Sequence, residues 1–100
     1  MFDEVDRLVH KLRVSEKSQV AQAIEESRTI SQSSLECMGE IRRHILDSWS
    51  EISTDVQLVV ISSRVLEFIN EYIARWERAT ADGDIRSFWV WRESYDPGGR

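Results

Sequence analysis

The chain has 100 residues, 41% of them apolar and 31% charged, with a formal net charge of −5. That length fits a single domain, the balance is that of a folded globular chain and not a disordered one, and no apolar run approaches the roughly 18 residues a membrane span needs. The acidic total disfavours non-specific binding to nucleic acid or anionic membranes.

The basic residues are 11 Arg against 2 Lys, a mix suited to bidentate ion pairs and to stacking on aromatic rings. One cysteine, Cys37, excludes an internal disulfide and a multi-cysteine zinc site and fits a reducing compartment. The opening stretch, MFDEVDRLVHKLR, is acidic and amphipathic, without the basic start and apolar stretch of a secretory signal. The expected location is therefore cytoplasmic or otherwise intracellular.

Phe2, Val5, Leu8, Val9 and Leu12 fall on one helical face and predict a short amphipathic helix over 3–13. Asp3 can cap its start, while His10, Lys11 and Arg13 suit the negative end of its dipole. Ser15 followed by Glu16 then reads as the start of the next helix.

From Glu16 to Ile52 there is no proline and one glycine, Gly39. This predicts a long helix over about 16–52 with a possible break near 32, and one bent helix is favoured over two. Its first half offers Val20, Ala21, Ala23, Ile24 and Ile30. Its second half is strongly amphipathic, with Leu35, Met38, Ile41, Ile45, Trp49 and Ile52 facing away from Glu36, Glu40, Arg43, Asp47 and Glu51. Between them Ser31, Ser33 and Ser34 cluster, and Ser33 with Glu36 makes a candidate capping box. At coiled-coil spacing a seam through 28, 31, 35, 38, 42, 45, 49 and 52 admits Arg28, Ser31 and Arg42, which either set register or lie at its edge with their charges in water.

A second candidate capping box, Thr54 with Gln57, opens a helix over about 55–81. This segment has a very wide apolar surface, running from Val56 through Trp76, and a narrow polar stripe of Arg64, Glu67, Glu71, Arg75 and Arg78. The β-branched run VQLVVI is also compatible with a strand, but length and capping favour helix. Asp82-Gly83 is a helix stop. Asp84 then caps a short segment over 84–95, helix or strand, before a flexible end at 96–100.

The expected fold is all-α: a long antiparallel helical hairpin with short N- and C-terminal helices, paired with a second copy as a dimeric helical bundle. The dimer follows from the third segment, which carries more apolar surface than two other substantial helices can cover. Trp49, Val59, Leu66, Ile69, Ile73 and Trp76 are the expected dimer or core anchors.

No Ser–His–acid order, nucleophile elbow or phosphate-cradling glycine loop can be drawn, so the chain is expected not to be an enzyme and to need no cofactor. Cys37, Glu40 and His44 share one helix side but form at most a partial metal-ligand set. His10 pairs with Asp6 at i,i+4. The C-terminal group of Arg86, Phe88, Trp89, Trp91 and Arg92 combines residue types that dominate protein-interface hot spots, although its aromatics can also fold back to finish the core. The expected function is a non-enzymatic protein–protein interaction module, an adaptor, inhibitor or regulatory subunit, whose partner is another protein or a second copy. One alternative is a nucleic-acid-binding helical dimer using a stripe of Arg42, Arg43 and His44, and a remoter one is a small enzyme using a metal held at Cys37 and His44.

Overall fold

The computed structural model describes residues 3–30 and 33–94, and every regular element among them is a helix. In chain order these are α1 (Asp3–Val14), α2 (Ser18–Ile30), α3 (Ser34–Asp47), the single turn α4 (Trp49–Ile52), α5 (Val56–Asp82) and α6 (Ile85–Ser94). Phe2, Ser31 and the end 96–100, each part of a sequence expectation, lie outside the described residues.

α1 forms where the spacing predicts it and buries Val5, Leu8, Val9 and Leu12. Its end differs from expectation. Ser15 does not open the next helix: the Glu16 and Lys17 amides instead donate to the carbonyls of Arg13 and Leu12, closing the paired hydrogen bonds of a Schellman turn. That turn places Glu16 at φ 63°, in the left-handed region, where glycine is the usual occupant. Glu16→Gly relieves the Cβ clash and is expected to raise unfolding free energy by about 0.5–1 kcal/mol, read by chemical denaturation.

The favoured single helix over 16–52 is three helices. Ser33 is extended, at φ −143° and ψ 161°, and its hydroxyl accepts the Glu36 amide at 3.1 Å, so α3 starts there as a separately capped helix. A second interruption at Ser48, φ −100° and ψ 14°, sets off α4. The division lets α2 and α3 pack against each other, which a continuous helix forbids.

α5 is the longest element. Asp55, and not Thr54, caps it: the Asp55 carboxylate accepts the amides of Gln57 and Leu58 at 2.9 and 3.4 Å, while the Thr54 hydroxyl donates back to the Glu51 carbonyl. The same carboxylate accepts the Ser15 hydroxyl at 3.4 Å and lies 4.0 Å from the Lys11 ammonium, tying the end of α1 to the start of α5. Partial burial alone raises the Asp55 pKa, but the two amides, Lys11 and Ser15 outweigh it and hold the group below its ordinary value of 3.8. A carboxylate depressed in the folded state stabilises above its unfolded pKa and loses that contribution as pH falls through the folded one. Asp55→Asn keeps a cap acceptor and removes the charge. Wild type is therefore expected to be the more stable at neutral pH, with the gap closing below pH 3.8 in melts followed toward pH 2.

The packing closes on itself. α1 contacts α2 and α5, α2 contacts α3, and α3 contacts α5. α1 and α2 are cross-linked in opposite directions by Arg13–Glu25 and Arg28–Asp6, and Arg42 of α3 donates to Asn70 of α5. Leu8, Leu12, Ile24, Met38, Ile41, Ile45, Ile52, Leu58 and Ile69 are completely buried at the centre of this ring.

The premise behind the expected dimer therefore changes. The wide apolar face of α5 is met by α1, α3 and α6 of its own chain, leaving Val56 and Val60 as its exposed large apolar residues. Of the anchors expected at a dimer or core interface, Ile69 is fully buried, Trp49, Leu66, Ile73 and Trp76 pack partly buried against the core, and Val59 is half-buried. Sequence counting undervalued α1 and α6 as cover. Dividing 16–52 into α2, α3 and α4 also supplies two more packing elements than expected.

Candidate interaction surface

α6 exists because three local signals agree. Gly83 takes φ 72° and reverses the chain, its amide donating to the Ala79 carbonyl to finish α5. Asp84 then caps α6, accepting the Ser87 amide at 3.2 Å and the Ser87 hydroxyl at 2.6 Å. These two hydrogen bonds hold the Asp84 pKa below its ordinary value against slight desolvation. The strand alternative for this segment is excluded by the observed helix.

The helix divides the predicted aromatic and arginine group between two faces. Phe88 is buried and Trp91 half-buried against α5, Arg86 is exposed, Arg92 is half-buried, and Trp89 sits at the edge of the cluster, 44% exposed with its ring edge-on to Phe88 at 5.2 Å and to Trp76 at 6.5 Å. On the inner face the Phe88 ring meets Tyr72 edge-on at 5.0 Å and Trp76 at 5.2 Å. Trp91 stacks against Phe68 at 6.2 Å, and the Arg75 guanidinium lies 4.9 Å from the Trp91 ring. Such edge-to-face and stacked pairs are worth about 0.5–1.5 kcal/mol each beyond the area they bury. Arg75 is also held by Glu71 one turn earlier, the pair the sequence spacing anticipates.

On the outer face Trp89 is 44% and Val90 61% exposed, with Ile85 one turn before Trp89 also reaching solvent. The Arg92 guanidinium lies 5.8 Å from the Trp89 ring. A shallow open depression of about 460 Å³ runs alongside, lined by Asp84, Arg86, Ser87, Val90, Trp91 and Ser94. Sequence reasoning missed Val90 as a surface residue. The available signal was its i,i+4 relation to Arg86, which puts the two on one side of the helix.

The other candidates are less developed. Arg43 is paired with Glu40 at 2.7 Å and approaches Asp47 at 3.6 Å, Arg42 is engaged by Asn70, and His44 lies 3.9 Å from the Glu40 carboxylate. The basic stripe is thus interleaved with carboxylates of its own helix. The Arg43 hydrogen bond is the main reason Glu40 sits below the usual carboxylate range. Cys37 is buried, which pushes its thiol pKa up against the opposing pull of Arg28. No group of three or more His, Cys, Asp or Glu residues positioned for a metal ion occurs among the described residues. No helix among them is long and apolar enough to cross a membrane.

Comparison with known protein families, with curated proteins and with solved structures found no match to the chain. Function therefore rests on the surface itself.

Proposed function

We propose that the chain is a non-enzymatic interaction module that docks another protein through the outer face of α6, with Trp89 as anchor, Ile85 and Val90 as its apolar surround, and Arg86 and Arg92 at the rim. The observation that carries this reading is the exposure of Trp89 and Val90 on a helix whose other side is already committed to the core. A tryptophan held on an ordered helix beside arginine is the residue type and setting that interface hot spots favour, because a rigid ring loses little entropy when it is covered. The partner is a different protein docking on a folded single chain, since the apolar face of α5 is covered without a second copy.

The test is a paired affinity purification from the native host, using wild type, Trp89→Ala and Leu46→Ala. Leu46 is a comparably exposed apolar residue on α3 and serves as the control. A protein recovered by wild type and Leu46→Ala but lost with Trp89→Ala supports the reading, provided the melting temperatures agree. An unchanged set of partners for Trp89→Ala counts against it, and light scattering across a dilution series reports whether the chain associates with itself.

A further inference from the structure

We draw no further inference here: the strongest candidate, the exposed apolar patch of Val56 and Val60 on the first two turns of α5, is an unpartnered face of the bundle, and nothing in the structure shows what covers it.

Discussion

Phe88→Ala is expected to lower unfolding free energy by about 3 kcal/mol and to release α6 while leaving the ring of α1, α2, α3 and α5 folded. Phe88 is 2% exposed and is the one fully buried residue of its helix. Its removal empties the space between Tyr72 and Trp76 and forfeits two edge-to-face contacts. Phenylalanine truncations in cores cost about 3–5 kcal/mol, and the low end is expected because the loss cannot exceed the docking free energy of α6. Two readouts check this. The melting temperature should fall by roughly 10–20 °C, and the helical signal before the transition should drop by no more than the share of a ten-residue helix. A variant that loses helical signal throughout would mean that the aromatic cluster supports the bundle itself. Trp89→Ala, changing the partly exposed neighbour, should cost much less.

The same cluster shows what the sequence made legible. The apolar period of α1, the Ser33–Glu36 box at α3, the Asp82-Gly83 stop after α5 and the cap at Asp84 can be read directly, whereas the same reading favours one helix over 16–52 and leaves 84–95 open between helix and strand. What could not be read was which elements meet. A wide apolar face on α5 states only that cover exists. Whether a second copy or the same chain supplies it depends on the break between α2 and α3, and the three serines Ser31, Ser33 and Ser34 there fit both a bend and a reversal. The left-handed turn at Glu16 was invisible because the glycine that normally marks such a position is missing. The cap of α5 was misplaced by one residue, since Thr54 and Asp55 are both good cap residues and only the hydrogen bonds separate them. The candidate surface was legible in composition and not in orientation. Phe88, Trp89 and Trp91 stand close in sequence, yet the helical rotation of about 100° per residue turns Phe88 and Trp91 onto α5 and leaves Trp89 at the edge of their cluster, partly exposed.

Ile45→Ala is expected to cost about 2–5 kcal/mol, while Leu46→Ala, one position along the same helix, changes stability by no more than about 0.5 kcal/mol. Ile45 is completely buried in the central core and Leu46 is 54% exposed. Removing the Ile45 side chain loses its transfer free energy and leaves a cavity lined by residues that cannot all collapse into it. Removing that of Leu46 mainly takes apolar surface out of water, and alanine, the best helix former, offsets part of the lost packing. Parallel urea titrations of the two variants measure the contrast directly. A large loss for Leu46→Ala in the isolated chain would mean that its side chain is covered in solution, which in a closed single-chain ring requires a second copy on α3. Dilution separates the two cases: the stability of a dimer falls with protein concentration, and that of a monomer does not. The pair thus tests both the core and whether a second copy covers α3 in solution.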